Sequence, residues 1–216
     1  MTTYFYKNIP EYQMAGFCAV RDPVDNFSNV LKLIEIINSH PDLRIDNDKQ
    51  GFDIAIFTGD YKRALIKKSD GFFSMSIPFQ IIDQGEIISF NCDFVEENVG
   101  GAFISIMRNA INTTRDNPYS YDDLMLSITE NFGMDFSSAI KYCDAFTYLI
   151  SEDHGYFRFD DDEANQNGSI HPRFHFDIFY KNTTSIKIGY SELVDIDCFY
   201  SLCDSTLPKR YLSQGG

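Results

Sequence analysis

The sequence predicts an α+β fold, and three observations carry that expectation. Apolar and polar residues alternate over 52–95, as half-buried strands require. Apolar residues recur at helical spacing over 23–40 and 121–150. Alternation returns over 156–190, so strands and helices come in blocks. The expected order is an N-terminal helix, an antiparallel meander, a central helical pair, and a C-terminal antiparallel hairpin or sheet with a closing helix.

The first helix follows from "RDPVDNFSNVLKLIEIINSHPDL". Asp22 offers an N-cap oxygen, and Pro23 fits the first turn, where its missing N–H costs nothing. Phe27, Val30, Leu31, Ile34 and Ile37 form its inward stripe, and Pro41 stops it. The meander starts with "FDIAIF" at 52–57, turns at Thr58-Gly59-Asp60, and pairs back through "YKRALIKK" at 61–68. "GFFSMSIPFQIID" alternates Phe73, Met75 and Ile77 up to Pro78, which belongs at an edge or bulge. "GEIISFNCDFVEEN" alternates Ile88, Phe90, Cys92 and Phe94.

Gly100-Gly101 breaks this pattern, and "AFISIMRNAINTT" reads as a helix on Phe103, Ile106, Met107 and Ala110. Two helices follow. Ser120 caps the first, with Asp123 three residues on, and Gly133 fits its C-terminal turn. The second carries Phe136, Ile140, Cys143 and the run from Phe146 to Ile150. "GYFRFDD" and "PRFHFDIFY" then read as strands flanking a polar loop. "TTSIKIGY" makes a third strand after a turn centred on Asn182. "SELVDIDCFYSLC" closes as a helix capped by Ser191, with Leu193, Ile196, Phe199 and Cys203 inward. A single domain over 1–216 is expected, any subdivision falling near 100–118 to leave 1–99 and 119–216.

The 216 residues are 44% apolar, so a packed core rather than disorder is expected. Lys and Arg total 18 against 32 Asp and Glu, a formal charge of −14. That field repels nucleic acid and anionic membranes and attracts another protein with a basic surface. Direct nucleic-acid contact is therefore not expected, although an array of carboxylates could itself mimic DNA. Cys18, Cys92, Cys143, Cys198 and Cys203 are odd in number and lack a C-x-x-C pair, which favours free thiols over disulfides or zinc. "MTTYFYKNIPEYQ" lacks a basic region followed by an apolar run, so no signal peptide is expected there, and no run reaches the roughly 20 apolar residues that span a bilayer. The expected location is cytoplasmic. No glycine-rich phosphate loop, G-x-S-x-G or H-E-x-x-H string occurs, and no cofactor is expected.

The chemistry-bearing stretch is "SIHPRFHFDIFY". Strand alternation puts Phe174, Phe176, Ile178 and Tyr180 on one face and Arg173, His175, Asp177 on the other. The preceding strand repeats this, with Phe157 and Phe159 opposite Tyr156, Arg158 and Asp160. Paired, the two strands have an aromatic core face and an ionic face turned to water, where Arg/Asp pairs contribute about 0.2–1 kcal/mol each. A fully extended strand would hold His171 and His175 about 13 Å apart, too far to share an ion unless His171 bends back at Pro172.

The leading expectation is a non-enzymatic docking surface built from Tyr156, Asp160, Asp161, Asp162 and Glu163. The alternative is a metal- or histidine-dependent hydrolase acting on a nucleotide or nucleic acid. It would use His171, His175, Asp177, Arg158 and Arg173, with His171, His175 and Asp177 as the metal set. The two helices plus hairpin over 121–180 also outline a winged helix. Lys141 is the one base on its second helix, beside Asp135 and Asp144, so that outline suits protein contact rather than DNA.

"HPRFHFDIFY" after "YFRFDDDE", closing with "LPKRYL", resembles uncharacterised prokaryotic families in which His-Pro-x-x-His opens a C-terminal strand. The resemblance covers residues 155–212. Those families carry a third histidine two residues after the second, where this chain has Asp177. The resemblance implies a setting, a bacterial or phage conflict system near defence genes, and the leading expectation becomes an inhibitor, immunity protein or small subunit there.

Overall fold

The computed structural model describes residues 2–46, 51–59, 62–118, 120–151, 155–168, 170–178, 187–204 and 206–208. Asp60 of the expected first turn, the Asn182 turn, Tyr180 of the apolar stripe, Phe179 of the opposite row, and 209–212 of the closing "LPKRYL" lie outside the described residues.

In chain order the elements are β1 (Thr3–Tyr6), α1 (Glu11–Met14), α2 (Pro23–Ser39), β2 (Arg44–Ile45), β3 (Ile54–Thr58), β4 (Lys62–Lys68), β5 (Gly71–Ser76), β6 (Gln80–Asp83), β7 (Ile88–Cys92) and β8 (Glu97–Asn98). Then come α3 (Gly101–Asp116), α4 (Tyr121–Phe132), α5 (Phe136–Ser151), β9 (Phe157–Asp161), β10 (Phe174–Asp177), β11 (Ile188–Tyr190) and α6 (Ile196–Cys203). The fold is α+β with antiparallel sheets. The chain forms two compact units of interleaved segments. A sheet unit takes Met1–Pro10, Leu43–Ile77 and His154–Gly216, and a helical unit takes Glu11–Asp42 and Pro78–Asp153.

The sheet unit is one eight-stranded sheet in the order β11-β10-β9-β5-β4-β3-β1-β2. β3, β4 and β5 form the predicted meander, with Ala55 opposite Leu65 and Leu65 opposite Ser74. The C-terminal hairpin joins it through β9, which pairs Phe159 with Phe72 and Asp160 with Gly71. Gly71 has φ +150°, and a Cβ there would lie 1.9 Å from the Phe159 carbonyl oxygen. Only glycine lets β9 come this close. One sheet face gathers Phe5, Phe57, Leu65, Phe159 and Phe176 with Phe199 and Tyr200 of α6. Phe159 meets Phe176 edge-on at 5.0 Å and Phe199 at 5.3 Å. Each such buried ring contributes roughly 1.5–3 kcal/mol of hydrophobic stabilisation. The cap of α6 is Asp195, whose side chain accepts from the Cys198 amide at 3.0 Å, and not Ser191. A carboxylate one residue before the helix both caps it and suits its dipole, so the helix starts later than expected and Leu193 is exposed.

The helical unit begins its second segment at Pro78. Ile77 N–H still bonds the Lys62 carbonyl at 2.8 Å, but Pro78 has no amide to continue the ladder. The meander expected through 95 therefore divides: β6, β7 and β8 form a separate three-stranded sheet. In α2 the Asp22 cap accepts from Asp25 N–H at 2.8 Å, and Phe27, Val30, Leu31, Ile34 and Ile37 are buried as predicted. Ser120 caps α4 through the Asp123 amide, and Gly133 ends it at φ +61°. Phe103, Ile106, Met107 and Ala110 are buried on α3. α5 departs from expectation. It turns Ala139, Cys143, Phe146 and Leu149 inward and leaves Phe136 and Ile140 exposed. This helix has two apolar rows, and small Ala139 and Ala145 lie on the row that packs. The helix pair belongs to the helical unit and the hairpin to the sheet unit, within an extended sheet, so the winged-helix outline does not hold. No helix among the described residues is long and apolar enough to cross a membrane.

Candidate functional site

Pairing of β9 with β10 sets Phe176 opposite Phe159, His175 opposite Asp160 and Asp177 opposite Arg158. Alternation sends Phe157, Phe159, Phe174 and Phe176 to the core, as expected. The opposite face holds Arg158, Asp160, His175 and Asp177. Lys187, next to the first residue of β11, completes this cluster, and His175 pairs with Gly189 of β11.

His175 is held at both ring nitrogens. Its Nδ1 lies 2.8 Å from the Pro172 carbonyl oxygen, which can only accept, so the proton is on Nδ1. Nε2 then offers a lone pair, to which the Lys187 ammonium donates at 2.7 Å. Lys187 also donates to both Asp177 oxygens, at 3.1 and 3.3 Å. Arg158 donates from Nη2 to Asp177 Oδ2 at 2.5 Å. Its Nε lies 2.7 Å from Asp160 Oδ2, an ion pair by distance whose N–H is not aligned for a hydrogen bond. Burial pushes the Asp160 carboxyl above the ordinary value despite the charge of Arg158. Burial acts the same way on Asp177, but Lys187 and Arg158 overcome it and hold that carboxyl below the ordinary value.

Asp160, His175 and Asp177 each bring a ligand atom within 4.8 Å of the others. One imidazole nitrogen and two carboxylate oxygens are a donor set that suits a divalent ion. Here a lysine ammonium bonds two members of that set, and two cations balance two anions. A divalent ion would have to displace Lys187 and share its ligands with Arg158.

The expected open ionic face is instead largely covered. His175 is 1% exposed, because its ring is enclosed by Pro172, His171 and the charged groups around it. The expected 13 Å between the two histidines is also corrected: their rings lie 5.0 Å apart, edge to face. Residues 171–173 are not part of the strand. Pro172 packs where a Cβ on Gly189 would come within 2.6 Å of its ring, and this bend brings His171 back. His171 Nε2 is bonded to Asp162 at 3.1 Å and stands outside the Asp160–His175–Asp177 set.

The residues expected to dock a partner are mostly engaged within the hairpin. Asp161 takes the Arg173 guanidinium at 2.6 and 3.3 Å, and Asp162 takes Asn165 and His171. Glu163 is exposed, 3.5 Å from Arg173. Tyr156, expected as an exposed aromatic, is 6% exposed because its ring packs 6.3 Å from that of Phe73 on the neighbouring strand. Lys187 was missed by sequence reasoning. Its only signal was being the one cation among "IKIG", and the β10–β11 register that gives it meaning is not local. Comparison with family models, curated proteins and solved structures finds no match. The cluster is thus a largely covered, charge-balanced network that fixes the hairpin, and the unbalanced charge of the chain lies elsewhere.

Proposed function

We propose that this chain is a cytoplasmic, non-enzymatic binding protein that docks a basic partner protein, as an inhibitor, immunity protein or small subunit. The supporting observation is the distribution of charge between the two units. The helical unit holds 18 Asp and Glu against 5 Lys and Arg, a net of −13, while the sheet unit holds 14 against 13, a net of −1. Within the helical unit, Lys32 and Arg108 already pair with Glu35, and Arg115 pairs with Asp25. An open groove of about 380 Å³ there is lined by Asp116, Asp123 and Glu130 around Leu126, with no cation among its lining residues. Such a surface steers a cationic partner and repels polyanions. The bacterial or phage conflict setting rests on the His-Pro-x-x-His resemblance and supplies context for that partner.

Salt-dependent retention of a partner by the immobilised full chain tests this reading. A protein held at about 0.05 M salt should be released near 0.5 M, where the Debye length falls to a few ångströms. The triple variant D116N/D123N/E130Q should slow association about tenfold, while E163Q should leave it unchanged. A chain that retains nothing at low salt overturns the proposal.

One observation favours a second reading, a histidine- or metal-dependent hydrolase acting on a nucleotide or nucleic acid. Asp160 and Asp177 have oppositely shifted carboxyls beside one imidazole, a pattern found where acid and base roles separate. Stoichiometric bound metal, or hydrolysis abolished by H175A with the fold intact, would decide for the enzyme.

A further inference from the structure

The second apolar row of α5 stays about half exposed. Phe136, Ile140 and Tyr148 are 56%, 40% and 43% exposed, at positions i, i+4 and i+12 of one helix, with exposed Asp144 at i+8. Residues four apart on a helix are neighbours, so the four make one ridge. Two flanking aromatics widen it. Phe94, 47% exposed, packs at a tilt against Tyr148 with ring centroids 4.1 Å apart. Tyr121, 40% exposed, donates to Asp144 at 2.7 Å. The inward needs of α5 are already met by Ala139, Cys143, Phe146 and Leu149. Scattered exposed apolar residues are ordinary, but three large ones on one ridge, with two more aromatics beside it, mark a contact surface.

From this row we infer that α5, with Phe94 and Tyr121, is the face that receives an amphipathic helix of the partner, its apolar stripe bordered by Lys and Arg. The inference rests on the reading of the chain as a binder of basic proteins and names the surface. Charge complementarity selects the occupant. The ridge lies on the unit with net charge −13, and Asp122, Asp135 and Asp144 stand exposed on or beside it. Two copies meeting here would set −13 against −13, and an anionic bilayer is repelled for the same reason. A row of side chains spaced by four fits the groove between the rows of a second helix. Phe136 and Tyr148 are the aromatic anchors of that contact, and Asp144, kept in place by Tyr121, faces its cations.

The test uses the full chain and a synthetic Leu/Lys amphipathic helix of about 18 residues, roughly five turns, with its Leu/Glu counterpart as control. Binding is read by fluorescence anisotropy at low salt. The Leu/Lys helix should bind and the Leu/Glu helix should not. F136A, I140D and Y148A should each weaken binding at least about tenfold, with thermal melts unchanged. Y12A, which removes another exposed ring of the same unit, should have no effect. If all variants bind equally, the ridge is overturned while the basic-partner reading stands. If the Leu/Lys helix does not bind at all, the inference is overturned, and the basic-partner reading stands or falls on the retention test alone. If sedimentation shows self-association that I140D abolishes, the occupant is a second copy and the inference is overturned.

Discussion

A single ammonium organises the hairpin's polar side. Lys187 donates hydrogen bonds to the one open nitrogen of His175 and to both oxygens of Asp177. In K187M the buried His175 Nε2 loses this donor and Asp177 keeps only that from Arg158, so stability should fall by about 1–3 kcal/mol in urea unfolding. Arginine should not rescue it, because a planar fork cannot occupy the place of a compact ammonium. The acid side of the stability profile should change as well. The Asp177 carboxyl is held below its ordinary value of 3.8, so its contribution is complete above that value and is lost as pH falls further. That acid-side loss should be smaller in K187M. Gly189 acts on the same ring from behind: a methyl group there would press on Pro172, whose carbonyl holds His175 Nδ1. G189A should cost about 1–3 kcal/mol as overpacking, read from the same unfolding curves.

Elements whose determinants are local were legible in the sequence. Asp22, Ser120 and Gly133 sit where the structure puts caps, because Asp22 and Ser120 each couple a side chain to an amide three residues on, and Gly133 takes the left-handed turn that ends α4. Local reasoning failed where two candidates competed. Ser191 and Asp195 both precede α6, and both apolar rows of α5 have helical spacing. It also failed for pairings between distant strands: nothing in "GFFSMS" announces that β9, over 80 residues later, lies beside it. The site was legible in the same proportion, its alternation visible and the bend at Pro172 and the donor at Lys187 not. Two outcomes belong to this scale. G71A should unfasten β9 from β5, since a methyl would meet the Phe159 carbonyl, and amides of β9–β11 should lose hydrogen-exchange protection before those of β3 and β4. In the helical unit, the two Arg108 hydrogen bonds hold Glu35, one residue from each of Ile34 and Ile36 on α2, down to about 2. A depressed carboxyl stabilises fully above its ordinary value of 4.5 and loses that contribution as pH falls toward 2. Protection factors at α2 and α3 amides, taken against the intrinsic rate at each pH, should therefore fall over that window, and E35Q should flatten the response.

At the scale of the whole molecule, net charge divides far less evenly than mass. A unit with net −13 repels itself, and dissolved ions relieve this. Raising ionic strength from about 0.01 to 0.15 M shortens the Debye length from roughly 30 to 8 Å. Amide exchange in α2–α5 should slow over that range, whereas exchange in β9–β11, fixed by opposite-charge pairs, should not slow. Equal responses would contradict the partition.

The interleaved connectivity also has a consequence for synthesis. Every segment of the helical unit precedes residue 154, while β5 waits for β9 as its neighbour. As the chain leaves the ribosome, helices can consolidate first and the central sheet keeps one raw, hydrogen-bond-hungry border until its last strands emerge. Nascent chains stalled in that interval are the ones a holding chaperone should find.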